Sequence, residues 1–124
     1  MQEQDARKRV LLVEDDRDVR EALMQVLEFE GYEVASAENG LEAMERLRQH
    51  ALPSVILLDL MMPVMDGRQF RVAQLQDPAV AGIPVIVISA DGQVEQKIAG
   101  LGIAAYLRKP IEVEDLLELI GRYC

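Results

Sequence analysis

Val55-Ile56-Leu57-Leu58-Asp59 is the stretch on which the fold turns: four large apolar residues in succession, closed by one carboxylate. A strand with one wet face alternates polar and apolar side chains. A run without alternation suits a strand covered on both faces, as in a parallel sheet. Two more runs share the texture, Val10-Leu11-Leu12-Val13 upstream and Val85-Ile86-Val87-Ile88 downstream. Weaker strand candidates stand at 32–35 and 105–107.

Helical spacing fills the gaps. Val19, Ala22, Leu23, Val26 and Leu27 mark one stripe, and Leu41, Met44 and Leu47 a second. Asn39 precedes Glu42 by three residues, which predicts an N-cap with a reciprocal partner. Phe70, Ala73 and Leu75 predict a third helix ending near Asp77-Pro78. Val94, Ile98 and Leu101 predict a fourth, with Gly102 as its stop. Val113, Leu116, Leu117 and Ile120 make the fifth. Strand and helix thus alternate five times, which implies an α/β fold: a five-stranded parallel sheet flanked by five helices through right-handed crossovers. The expected unit is one domain over 1–124, with a core over about 8–123 and no second domain.

Half of the 124 residues are hydrophobic, enough for a real core. The net charge of −9 weighs against direct nucleic-acid binding, which needs a basic face, and against an anionic membrane surface. The lone cysteine, Cys124, cannot close an internal disulfide. Residues 1–9 are polar and charged, unlike a secretory signal, and no apolar run approaches membrane length. A cytoplasmic location is the expectation.

In open α/β sheets ligands bind beyond the carboxyl ends of the strands. Glu14-Asp15-Asp16 follows the first strand, Asp59 ends the third, Ser89-Ala90 follows the fourth and Lys109-Pro110 the fifth; the second offers only Ser36. Two carboxylates about 4 Å apart, at an effective dielectric near 20, repel by on the order of 4 kcal/mol. A hard divalent cation relieves that repulsion. Acids without nearby His or Cys suit Mg²⁺ and not Zn²⁺. Phosphoryl transfer needs its equatorial oxygens neutralised. Mg²⁺, the Lys109 ammonium and the Ser89 hydroxyl can serve one oxygen each. Asp59, alone after the central strand, is then the natural carboxylate nucleophile. Each residue also has an ordinary role: Asp15 or Asp16 as a helix cap, Asp59 as a turn acid, Ser89 as a cap, Lys109 as a solvated surface group. Their shared edge carries the inference.

At these residues the sequence resembles the response-regulator receiver family. The matching motifs are Leu12-Val13-Glu14-Asp15-Asp16, Leu58-Asp59-Leu60-Met61-Met62-Pro63 with Met65-Asp66-Gly67, Val87-Ile88-Ser89-Ala90, and Tyr106-Leu107-Arg108-Lys109-Pro110. The resemblance covers about 8–123 and implies a flavodoxin-like fold with strand order 2-1-3-4-5. It implies Asp59 as phosphoacceptor, and Asp15, Asp59 and the Met61 backbone carbonyl as direct Mg²⁺ ligands. Glu14 would reach the metal through water. Lys109 would pair with Asp59 and then with the phosphoryl group, aimed inward by a cis bond to Pro110. Ser89 and Tyr106 would form a switch pair that reshapes the surface of the fourth helix, fifth strand and fifth helix. The implied donor is a phosphohistidine on a sensor histidine kinase or histidine phosphotransfer protein. The output is a downstream protein target, and the switch surface is compatible with dimerisation. Such a chain is a signalling switch that hydrolyses its own acyl phosphate slowly, not a metabolic enzyme.

Some positions depart from the family pattern. Glu14 stands where many relatives have Asp, Ser89 replaces Thr, and Gly102-Ile103-Ala104 replaces Gly-Ala-Asp. Met61 cannot orient a water by hydrogen bonding, so modest autodephosphorylation is expected, with Asp91 as its candidate helper. His50 reads as a surface residue, Cys124 as an inert thiol, Met61, Met62 and Met65 as packing, Asp66-Gly67 as helix-start chemistry and Pro63 as a loop stiffener. A Mg²⁺-dependent aspartyl phosphatase is the alternative, but that class places a second Asp where Met61 stands. A flavin or nucleotide site would need a Gly-, Ser- or Thr-rich loop after the first strand, where Glu14-Asp15-Asp16 repels phosphate. A degenerate receiver acting as a scaffold is the remaining alternative, set against the presence of every key side chain.

Overall fold

The computed structural model describes residues 8–49 and 51–124; the reading of His50 and most of that of the N-terminal stretch lie outside them. Five strands alternate with five helices: β1 (Arg9–Val13), α1 (Arg17–Phe29), β2 (Glu33–Ala37), α2 (Gly40–Gln49), β3 (Val55–Asp59), α3 (Gly67–Leu75), β4 (Val85–Ser89), α4 (Val94–Ile98), β5 (Ala105–Arg108) and α5 (Val113–Tyr123). All pairings are parallel, in the order β2-β1-β3-β4-β5. Every residue of β3 and β4 is buried, the physical reason for their uninterrupted apolar runs.

Successive strand residues face opposite sides of the sheet, so the runs feed two cores. Leu11, Val13, Ile56, Leu58 and Val87 pack with Met44, Leu47, Phe70 and Val94 beneath α2, α3 and α4. Val10, Leu12, Leu57, Ile86 and Ile88 pack with Leu23, Leu27, Leu116 and Ile120 beneath α1 and α5. Each such side chain contributes about 1.5–3 kcal/mol by leaving water.

The helix starts are chemically marked. Asp16 caps α1 by accepting from Val19 N–H at 3.1 Å. Asp66 caps α3 in a capping box with Gln69. Asn39 accepts from Glu42 N–H at 2.9 Å, but the returning Glu42 carboxylate takes Glu38 N–H at 2.7 Å, one residue before the expected partner.

Several expectations are corrected. The second strand runs one residue later at its start and two at its end, so Ser36 lies inside it rather than beyond it. The stripes are narrower than the pattern suggested: Leu41, Leu75 and Val113 are exposed. The buried face of α3 includes Arg71 and Gln74 instead. Helix α4 stops at Ile98, short of the expected Leu101. Ala99 is extended and Gly100 takes φ +79°, a left-handed geometry that ends the helix before Gly102. Leu101 is buried all the same, in the turn after the helix.

Candidate functional site

The carboxyl ends of β1, β3 and β5 bring four of the expected residues together. Glu14 follows β1 and is fully buried; Asp59 ends β3 at 3% exposure. Carboxylate oxygens of Glu14, Asp15 and Asp59 lie within 4.8 Å of one another, with Asp15 open to solvent. Lys109 follows β5, joined to Pro110 by a cis peptide bond. Its Nζ lies 2.8 Å from Glu14 Oε1 and 3.5 Å from Asp59 Oδ2. One ammonium therefore serves two buried carboxylates.

Backbone groups fix the pair. Met61 N–H donates to Asp59 Oδ1 at 3.1 Å, and Asp16 N–H to Glu14 Oε2 at 3.1 Å. Gly67 packs so closely that a Cβ there would stand 2.5 Å from the Asp59 carbonyl oxygen. Met65 and the start of α2 are equally tight: Gly40 N–H donates to Met65 O at 2.9 Å, where a Cβ would meet Met65 Cγ at 2.7 Å.

Charge in this pocket is incompletely balanced. Burial pushes Asp59 upward, and the neighbouring Glu14 adds to the rise by hydrogen bonding and repulsion. Met61 N–H and Lys109 oppose it, and the result is a carboxyl raised to about 7. Burial acts to lower Lys109, but Glu14 and Asp59 outweigh it and hold the ammonium above its ordinary value. Glu14 Oε1, fully buried, has the Lys109 ammonium at 2.8 Å as its ion-pair partner. Three clustered carboxylates with a single ammonium beside them, one carboxylate open to solvent, suit a hard divalent cation.

Two further expected residues, Ser89 and Tyr106, stand outside the cluster. Ser89 is fully buried at the end of β4, and its Oγ accepts from Asp91 N–H at 3.0 Å. Lys109 N–H donates to Ser89 O at 2.9 Å, tying the two strand ends. Tyr106 is half-buried, and the neighbouring Glu95 carboxylate raises its phenol above the ordinary value. Asp91, the candidate helper in dephosphorylation, binds Gln93 N–H and Lys97 instead of standing free. Met61, unlike Met62, does not pack as expected: it is exposed and lines a cleft with Leu60, Asp66, Arg68 and Lys97. A separate cavity of about 130 Å³ sits at the amino ends of β1 and β2 and contains none of these acids.

The family model for the response regulator receiver domain matches residues 10–121, across the sheet and every residue of the cluster. The chain belongs to the response regulator receiver family. Response regulator MprA of Mycobacterium sp. (strain KMS) is 40% identical over 111 residues, which are 88% of this chain and 47% of that protein. MprA of Mycobacterium leprae (strain TN) is 40% identical over 114 residues, 90% of this chain and 49% of that one. The chain thus spans about half the length of the curated relatives it matches. A response regulator receiver protein from Pseudomonas putida superposes with a TM-score of 0.88 at 30% identity, covering 94% of this chain and 98% of the other. The Vibrio cholerae chemotaxis protein CheY4 gives 0.87 at 29% identity, covering 96% and 100%.

The fold of this receiver is accordingly flavodoxin-like with the expected strand order. Membership makes it a receiver domain of two-component signalling. No helix among the described residues is long and apolar enough to cross a membrane.

Sequence reasoning missed one support of the site, and two buried polar residues of α3 that hold the turns before β4 and β5. Arg20 Nη1 donates to the Glu14 carbonyl at 2.8 Å. Arg71, buried in α3, donates to Leu101 O at 2.8 Å, Gly102 O at 3.0 Å and Gln74 Oε1 at 2.7 Å. Gln74 in turn holds Val80 O and Ile83 O at 2.9 and 3.1 Å. No local pattern marks Arg71 and Gln74 as buried. Gly67 was legible only as a helix start, yet it is also what lets α3 approach the backbone of Asp59.

Proposed function

We propose that Asp59 accepts a phosphoryl group from a phosphohistidine on a sensor histidine kinase or histidine phosphotransfer protein. The observation that carries this reading is one ammonium, Lys109, within reach of two buried carboxylates at the mouth of a three-acid cluster. An Asp59 oxygen attacks phosphorus and forms the O–P bond. The P–N bond breaks, its electron pair stays on the donor imidazole, and that nitrogen takes a proton from solvent. Glu14, Asp15, Asp59 and the Met61 carbonyl are the groups that would hold Mg²⁺. When bound it supplies neutralising charge to the carboxylates and to the incoming phosphoryl oxygens. Lys109 holds the second share of that charge. Met61 N–H keeps the Asp59 carboxylate oriented. Gly67 leaves α3 seated against its backbone, so the acceptor is presented on a rigid frame.

Ser89 is the group that then turns toward the phosphoryl oxygens, and Tyr106 the ring that moves after it. Tyr106 sits beside Glu95 of α4 and Arg108 of β5, so its movement alters the α4–β5–α5 surface directly. That surface is the proposed face for a downstream protein target or a second copy.

Incubation with acetyl phosphate or phosphoramidate and Mg²⁺, followed by intact-mass measurement, tests the proposal. One phosphoryl adduct is expected, absent in Asp59→Asn and in excess EDTA. An adduct that survives Asp59→Asn overturns it. Multiple turnover of small phosphate esters would instead favour an Asp59-based phosphatase.

A further inference from the structure

The β4–α4 connection is organised by a residue that phosphoryl transfer itself does not employ. Asp91 makes three contacts. Its N–H donates to Ser89 Oγ at 3.0 Å, its Oδ1 accepts from Gln93 N–H at 2.7 Å, and its Oδ2 pairs with Lys97 Nζ. Lys97 sits in α4, a helix of five residues whose N-cap, Gln93, makes no side-chain cap bond. A helix so short has no stability of its own. It is tied down from outside: Asp91 satisfies the Gln93 N–H and pairs with Lys97, while Arg68 of α3 donates to Lys97 O at 2.9 Å. Lys97 draws the Asp91 carboxyl below its ordinary value, with the Gln93 N–H acting in the same direction.

The consequence falls on Ser89. Its side chain is fully buried, and the hydrogen bond it accepts comes from the same residue that Lys97 holds. Turning the hydroxyl toward Asp59 requires the Asp91 backbone to move or give up that bond, and the Asp91–Lys97 pair resists the movement. We propose that the Asp91–Lys97 pair is a latch that holds the Ser89 hydroxyl in its resting place and so sets how readily the receiver is phosphorylated. Asp91 and Lys97 are positioning residues in this scheme; neither touches the phosphoryl group. The proposal rests on Asp59 being the acceptor and Ser89 its hydroxyl partner.

The test is a double-mutant cycle read as the rate of phosphorylation by acetyl phosphate in Mg²⁺. Lys97→Met keeps the aliphatic stem without the charge. Asp91→Asn keeps an acceptor for Gln93 N–H without the ion pair. Each is expected to accelerate phosphorylation about two- to fivefold, the range set by a partly exposed ion pair. The double variant should be no faster than either single, because both remove one interaction. Lys97→Arg should restore the wild-type rate. A purely structural role would lower the melting temperature without raising the rate. Unchanged or slower rates in both single variants, or additive gains in the double, overturn the latch. A wild-type chain that takes no phosphoryl group on Asp59 overturns the underlying reading instead, so the two failures are distinct.

Discussion

Replacing the acceptor should make the metal-free receiver more stable. Asp59 is buried beside Glu14 with one ammonium between them, and its carboxyl is raised from an ordinary 3.8 to about 7. The folded state therefore binds this proton more tightly than the unfolded chain does. Below about pH 4 both states are protonated and Asp59 costs nothing. As pH rises from 4 to 7 the unfolded chain ionises freely while the folded one resists, and stability is lost. Above 7 the loss is constant. About 3 pH units correspond to roughly 4 kcal/mol as an upper bound. Asp59→Asn keeps an acceptor for Met61 N–H and removes the ionisation, so we expect a gain of about 1–4 kcal/mol at pH 8 in EDTA. For a domain of this size that is a rise of at least about 4 °C in melting temperature. The assay is thermal and urea unfolding of both proteins from pH 4 to 8, with EDTA and then with Mg²⁺. The advantage should shrink toward zero at pH 4, and saturating Mg²⁺ should narrow it by stabilising the wild type more than the variant. A variant melting at or below the wild type at pH 8 in EDTA, or a difference that does not change with pH, refutes the argument.

Four further outcomes are expected. Gly67→Ala places a methyl 2.5 Å from the Asp59 carbonyl oxygen and 2.8 Å from Leu60 Cα, so urea unfolding should show a loss of about 2–4 kcal/mol; a change under about 0.5 would mean that α3 can back away freely. Arg71→Met fills the volume but leaves Leu101 O and Gly102 O without their donor, and should cost about 2–4 kcal/mol by the same assay; a neutral result would show that water replaces the guanidinium. Val64 is 75% exposed with φ +69°, so Val64→Gly should stabilise by about 1 kcal/mol, and a lower melting temperature would contradict the assignment of strain there. Met61→Asn should hasten decay of the acyl phosphate, monitored by intact mass; an unchanged decay rate ends the idea that Met61 limits it.

The central sheet was legible because β1, β3 and β4 are covered on both faces and write that fact as continuous apolar runs. Edge strands are half-wet, and Glu33 at the start of β2 interrupts the signal, so its limits slipped. The acids and the lysine were legible as a group because parallel strands deliver the residues at their carboxyl ends to one rim. Arg71 and Gln74 were not, since a polar residue in a helical pattern reads as solvent-facing until the carbonyls it satisfies are known. These carbonyls belong to turns up to 31 residues away in sequence. The same holds for the Asp91–Lys97 pair, which no apolar periodicity announces. The stop of α4 at Gly100 was hidden by Leu101, which is buried from a turn as well as it would be from a helix.

The sheet divides the interior into two compartments with separate linings, one shared by α2, α3 and α4, the other by α1 and α5. Among the described residues, no buried side chain belongs to both linings. At the carboxyl rim, where the strands run out, loops from both sides crowd around the same few atoms. A single small chemical event placed there can be felt in both compartments, whereas the same event in mid-sheet would stay on the side where it occurred.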